Sequence, residues 1–330
     1  MLAAMKKIAL EEAMIVPGQE DMVPDHKKHP EFMENFDKLM EIGPLRLSEM
    51  DKAQIQWSIL SLTSPGIEGL ASIKNLESIG KQWNDYMEEK INTYPDRFKG
   101  FACLPLADPA LAIKELERIA KKKAFVGCLI NSYTNAGGTE PKYLDRPEYD
   151  DFWAAVEALD VPIYLHPRGF PESRHKPSFG DIHELNGSTW GFHVELAEHC
   201  LRLMVNGVFD RHPKLKIIIG HLGEILSFWS WRIDHRMKKE QSLKSLKCER
   251  YITDYLKTNF FVTTSGYYDT PSLQHCVANI GIDRVMFSVD YPYEDSFESS
   301  QWLDNIPYSD EEKQQIAYKN AANLLKINMV

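Results

Sequence analysis

Residues 213–224 read PKLKIIIGHLGE. Positions 215–219 are short, apolar and β-branched, with none of the three-and-four spacing of a helix. A continuous apolar run of this kind suits a strand of a parallel sheet buried on both faces. Gly220 is expected to let the backbone turn tightly, and His221 follows at once, with Glu224 three residues on. Parallel α/β folds place their chemistry at the C-terminal ends of such strands. A core histidine satisfied by a neighbouring carboxylate gives the same letters, so the stretch gains weight only because its layout recurs.

It recurs along the whole chain. Strand-like runs are read at 7–10, 55–62, 98–104, 125–130, 161–165, 215–219, 260–264 and 284–289. Helix-forming sequence separates each strand from the next, including 45–54 with Ser48 as a capping residue, 73–94, 109–123 and 149–159. Further helices are expected at 192–206, 225–239 and 270–280, and a closing one at 310–326. Residues 14–44 and 167–190 read as long loops, the first with a short helix near 31–40 and the second in the position of a lid. Eight βα units predict an α/β fold, a (β/α)8 TIM barrel, as one domain over residues 1–330.

Composition narrows the class. The chain has 330 residues, 43% hydrophobic and 26% charged, as expected of a soluble globular protein with a large core. A net charge of −10 speaks against a nucleic-acid or polybasic membrane surface. The five cysteines form no CxxC pair and are expected to be buried free thiols, which with the absence of a leader-like N-terminus suggests a cytoplasmic protein. No apolar run is long enough to span a bilayer.

The expected strand tips carry Glu11, His166, His221 and Asp290. In a barrel the C-terminal ends of all strands meet at one mouth, so residues distant in sequence become neighbours. Two carboxylates and one or two imidazoles on a shared rim suit a divalent cation such as zinc, manganese or magnesium, with positions left open for water or substrate. Each residue alone reads equally well as a hydrogen-bonding or capping group; four on one rim are harder to ascribe to coincidence. Glu12 competes with Glu11, and Glu11 is preferred because it immediately follows the apolar run.

At these residues the chain resembles the metal-dependent decarboxylases of the amidohydrolase superfamily, which act on 2,3-dihydroxybenzoate, γ-resorcylate, salicylate or 5-carboxyvanillate. The likeness covers nearly the whole chain. It rests on LEEA at 10–13, SLTSPG at 61–66, LHP at 165–167, the block 201–224, Trp231–Arg232, TTSG at 263–266, SVDYPYE at 288–294 and NAANLL at 320–325.

The resemblance implies one divalent metal held by Glu11, His166 and Asp290, with Asp290 also the proton donor. It implies a proton-handling pair in His221 and Glu224, and substrate contacts from Arg232, Thr63, Ser64 and Asn131. Phe170, Phe179, Trp190 and Phe192 are expected to roof the ring. Ala13 replaces a second first-strand histidine, and Asn131 stands where binuclear relatives carry a bridging lysine. The expected reaction is loss of CO2 from an ortho-hydroxybenzoate, with 2,3-dihydroxybenzoate or salicylate favoured over γ-resorcylate by Ala13. Amide or lactone hydrolysis on the same scaffold is the alternative chemistry, and a metal-free binding scaffold the non-enzymatic one. A homo-oligomer, dimer or tetramer, is implied, with a small aromatic hydroxy acid as the only other partner.

Overall fold

The computed structural model describes residues 5–23, 30–138 and 140–329; parts of the N-terminal segment and of the 14–44 loop therefore lie outside the described residues. The strands are β1 (Lys7–Met14), β2 (Ile55–Leu62), β3 (Phe98–Ala102), β4 (Phe125–Asn131), β5 (Ile163–His166), β6 (Ile217–Ile219), β7 (Phe260–Thr263) and β8 (Val285–Met286). They form one eight-stranded sheet in the order β1 to β8, every neighbouring pair parallel. Beyond β8 the chain returns to β1: Asp290 N donates to Glu11 O at 3.1 Å and Ala13 N to Tyr291 O at 2.7 Å. These bonds bring the two ends of the sheet together as a (β/α)8 barrel.

Strand periodicity explains the unbroken apolar run in β6. Ile218 joins an inner cluster with Ile8, Leu10, Ile59, Phe101, Leu129, Tyr164 and Met286. Ile217 and Ile219 point the other way, into the layer between strands and helices. Both faces therefore need apolar side chains, each worth about 1.5–3 kcal/mol when buried. The helix Asn320–Leu325 stops the N-terminal end of the barrel, with Ala321, Leu324 and Leu325 in the inner cluster. The opposite end remains for the site.

β2 and the helix Thr270–Ile280 occupy the expected residues. Several other elements differ. β1 runs to Met14, so Glu11 and Glu12 lie within the strand rather than after it. β8 is only two residues long. Ser48 lies inside the helix Pro44–Lys52 and caps nothing. The 167–190 segment carries a helix, Glu172–Phe179, and a turn, His183–Asn186. The closing helix is interrupted by a π turn at Gln315–Lys319. Helices Ile252–Thr258 and Ser296–Asn305 are additional; the second is announced by Asp295, whose carboxylate accepts from Phe297 N and Glu298 N, both at 2.8 Å. All five cysteines are free and buried. No helix among the described residues is long and apolar enough to cross a membrane.

Candidate metal centre and active site

Glu11 owes its position to a bulge. Ala9 pairs with Ser58 and Glu12 with Leu60, so β1 holds one residue more than β2 over that interval. Ser288, beyond β8, accepts from the amides of both Leu10 (3.2 Å) and Glu11 (2.6 Å). The two carboxylates then diverge. Glu12 faces the shell, where its Oε1 accepts from Val289 N at 3.1 Å, and burial pushes its carboxyl up to about 8. Glu11 faces the barrel mouth.

A hydroxyl network grips one side of Glu11. Its Oε2 accepts from Tyr164 and Ser265, and Thr263 Oγ1 lies 2.8 Å from the Tyr164 hydroxyl and 2.7 Å from Ser265 Oγ. Its other oxygen, Oε1, is buried without a hydrogen bond and lies 3.0 Å from His166 Nε2. A carboxylate oxygen and an imidazole nitrogen this close can both turn their lone pairs on one cation. Ligand atoms of Glu11, His166 and Asp290 all fall within 4.8 Å of one another.

Gly220 is needed here for space. The chain does turn tightly from Gly220, whose carbonyl accepts from Gly223 N at 2.8 Å, but the φ of Gly220 itself is not in the left-handed region. A Cβ there would sit 2.7 Å from Glu11 Oε2. The left-handed residues come next: His221 (φ 50°), Leu222 (55°), Gly223 (84°) and Glu224 (57°). This short left-handed turn costs on the order of 1–2 kcal/mol for each non-glycine residue. It bends Glu224 back so that its Oε1 meets His221 Nδ1 at 2.8 Å. The far side of His221 is thereby aimed at the mouth, with Nε2 3.8 Å from Asp290 Oδ2 and 4.0 Å from Glu11 Oε1. Asp290 is itself left-handed, at φ 79°.

Charges at the rim are unevenly held. Burial would raise Glu11, but His221 and His166 beside it win and lower it. Burial raises Asp290, assisted by the Glu11 carboxylate. Burial would lower His221, yet Glu224 and Glu11 hold it well above the usual imidazole range. A cluster with one carboxyl inclined to keep a proton and one inclined to lose it can divide acid and ligand roles.

A family model described as Amidohydrolase matches residues 64–327, most of the chain. The chain belongs to the amidohydrolase family. A γ-resorcylate decarboxylase of Polaromonas sp. (strain JS666) is 40% identical over 98% of this chain and 99% of its own. The crystal structure of a 2,6-dihydroxybenzoate decarboxylase with 2,6-dihydroxybenzoate is similar at TM-score 0.92 and 38% identity, over 97% of this chain and 99% of that one. A dihydroxybenzoic acid decarboxylase from Polaromonas sp. JS666, crystallised with manganese and the inhibitor 2-nitroresorcinol, is similar at TM-score 0.92 and 39% identity, over 98% of both chains. Within the amidohydrolase family this chain is a metal-dependent aromatic acid decarboxylase.

In this amidohydrolase the other expected residues are placed unequally. Thr63 Oγ1 lies 2.7 Å from the Tyr293 hydroxyl, three residues past Asp290. Ser64 Oγ donates to Pro167 O at 3.2 Å, next to His166. Asn131, ending β4 beside His166, donates to Glu68 Oε2 at 3.3 Å and leaves its own Oδ1 without a hydrogen bond. Arg232 is not brought into the cluster: the helix Leu226–Glu240 buries Leu226, Ser230, Asp234 and Met237, and Arg232, two residues from both Ser230 and Asp234, falls on the opposite, exposed face. Of the expected roof, Phe170 and Phe179 pack together at 5.9 Å, whereas Trp190 is 45% exposed.

Residues that reading the letters missed include Tyr164, Ser265, Ser288 and His193. Tyr164 was recoverable by parity, since it shares a strand face with His166. Ser265 lies in TTSG, a motif noted without a role. His193 Nδ1 contacts Glu224 Oε2 at 2.5 Å, a pairing across 31 residues with no local signal. A second buried cluster resembles a nucleophile triad and is not one. His199 Nδ1 lies 3.0 Å from Ser132 Oγ, but its Nε2 already accepts from Leu144 N at 3.1 Å, so Nδ1 carries the proton and cannot take one from the serine. Ser132 donates instead to Glu195 at 2.9 Å. A groove of 640 Å³ between Trp57, Lys99 and Ile327 lies at the far end of the barrel and contains no histidine.

Proposed function

We propose that this chain, acting as one catalytic domain, catalyses the reversible, non-oxidative decarboxylation of γ-resorcylate (2,6-dihydroxybenzoate) to a phenol and CO2. The observation that carries the reading is the convergence of Glu11, His166 and Asp290 within 4.8 Å on a chain 40% identical, end to end, to a γ-resorcylate decarboxylase. The preference for 2,3-dihydroxybenzoate or salicylate that Ala13 suggested finds no support in that likeness. Hydrolysis is disfavoured by the same likeness and by Asn131 in place of a bridging lysine.

Glu11 Oε1, His166 Nε2 and an Asp290 oxygen fit a divalent cation, because one is an unpartnered buried carboxylate oxygen and the others lie beside it. When bound, such a cation supplies the charge that fixes a carboxylate and its ortho-phenol oxygen together and lowers the phenol's pKa. The protein's own groups then manage the proton. Asp290, held up by burial, delivers it to the ring carbon bearing the carboxylate. The ring π electrons form the new C–H bond. The C–C bond electrons return to the ring as CO2 leaves, and aromaticity is restored. His221, 3.8 Å away, replaces the proton on Asp290, and Glu224 fixes which nitrogen of His221 faces the site. Asn131, Thr63 and Ser64 border the ring; the unpartnered Asn131 Oδ1 is an acceptor for the second ortho hydroxyl.

A homo-oligomer, dimer or tetramer, in the cytoplasm fits five unpaired thiols and the apolar face of the helix Leu226–Glu240. On that face Arg232 is available to a neighbouring carboxylate. The test of the function is CO2 release from 2,6- and 2,3-dihydroxybenzoate, salicylate and 5-carboxyvanillate, with and without a chelator. Preferred turnover of the 2,6 isomer supports the reading; turnover of another acid alone, or of none, removes it.

A further inference from the structure

The 167–190 segment, expected to act as a lid, is joined to His221 and Glu224 by one side chain. His193 lies in the first turn of the helix Gly191–Val205, immediately after the 167–190 segment. Its Nδ1 meets Glu224 Oε2 at 2.5 Å, and its Nε2 meets the carbonyl of Ser188, inside the lid segment, at 2.8 Å. The Ser188 carbonyl can only accept, so Nε2 supplies the hydrogen of that bond. Glu224 divides its oxygens, Oε2 for His193 and Oε1 for His221. The His193 and His221 rings pack edge to face, their centroids 5.5 Å apart. A continuous chain of bonds therefore runs from Ser188 through His193 and Glu224 to His221, whose far nitrogen faces Asp290.

We propose that His193 is a positioning residue that couples the seating of the 167–190 lid to the orientation of His221. A lid that lifts withdraws the Ser188 carbonyl and frees the His193 ring to rotate. Glu224 then loses one of its two fixed partners, and His221 loses the restraint on its ring plane. With the lid seated, His221 faces the reacting centre while the site is sheltered from water. The inference rests on the function proposed above for its kinetic consequence, but not for its geometry.

Two variants separate the two bonds. His193→Phe removes both. His193→Asn keeps a donor near the Nδ1 position, for Glu224, and loses the reach to Ser188. The expected kcat of H193F is about 10–100-fold below wild type, the usual cost of losing an outer hydrogen-bond partner. KM should change little, and H193N should recover most of kcat. Lid opening is read separately as tryptic cleavage of the folded enzyme after Arg174, which should quicken in both variants. The imidazole nitrogen NMR signals of His221 should broaden or move in H193F and stay near wild type in H193N. An H193F enzyme with wild-type kcat and an unchanged His221 signal overturns the proposal, as does H193N no better than H193F, or unaltered cleavage. If wild type turns over no hydroxybenzoate, the function fails, while the cleavage and NMR readouts still decide the coupling.

Discussion

The backbone N–H of Asp290 donates to the carbonyl of Glu11 at 3.1 Å. One hydrogen bond therefore helps close the barrel and fixes the separation of two of its three candidate ligands. Ser288 strengthens the same junction by accepting from the Leu10 and Glu11 amides. Two of the candidate ligands thus stand where the first and last strands meet, so their geometry and barrel closure depend on each other.

Asp290→Asn should lower kcat by at least about 10³-fold, near the upper range for loss of a general acid, while substrate still binds. CO2 release measures the first and fluorescence quenching by the hydroxybenzoate the second. A D290N enzyme of ordinary activity would falsify the assignment of Asp290 as proton donor.

Gly220→Ala should destabilise the fold by about 1–3 kcal/mol and reduce metal content, since its Cβ would press on Glu11 at 2.7 Å. Gly187→Ala is the control, with nothing within 4 Å of the added carbon. Urea denaturation and metal analysis compare them; equal behaviour of the two variants contradicts the crowding argument.

Removal of divalent metal should abolish turnover and lower the melting temperature, and manganese should restore both. A cation present at 100 times its Kd contributes about 2.7 kcal/mol to the folded state. Full activity after exhaustive chelation would end the proposed chemistry.

Glu195 should make stability fall with rising pH. Burial pushes its carboxyl up to about 8, against an ordinary value of about 4.3 in the unfolded chain. The folded state therefore binds the proton more tightly. Its contribution is whole below about pH 4 and is lost as pH rises to and through 8. His199, pushed down by burial to about 3, acts with the opposite sign: its contribution is present above about pH 6.5 and lost as pH falls. Between pH 6.5 and 8 the Glu195 effect dominates, and Glu195→Gln should lose less stability than wild type. Parallel denaturation curves at both pH values would count against it.

Lysine at Phe228 and Trp231 should shift the protein toward smaller species in sedimentation. These residues are 72% and 67% exposed on one helix, with Trp229 between them at 54%. A surface of that character marks an association face. An unchanged sedimentation profile would place the interface elsewhere.

Much of the barrel was legible because its signals are local. Short apolar runs and helix stops located all eight strands, and β2 coincides with its reading. The strands misjudged are those whose limits depend on a partner. β1 extends through Glu11 and Glu12 because Ser288 and Tyr291 satisfy backbone groups that the sequence leaves open. β8 shortens because beyond Met286 the chain bonds to Ile316 and β1, and meets the continuation of β7 through the Thr264 side chain and Gly266 N instead of a regular ladder.

The sequence by itself determined the parallel barrel, the buried thiols and the placing of His166, His221 and Asp290 at its mouth, since each follows from apolar strand runs and strand polarity. Only the tertiary structure decided that Glu11 and not Glu12 faces the site. That choice depends on a one-residue bulge, which reverses the direction of every side chain beyond it. Tertiary structure alone also brought Tyr164, Ser265 and His193 to the carboxylates and left Arg232 outside the cluster. Contacts across tens or hundreds of residues depend on how strands register in space, and no local pattern in the chain encodes that register.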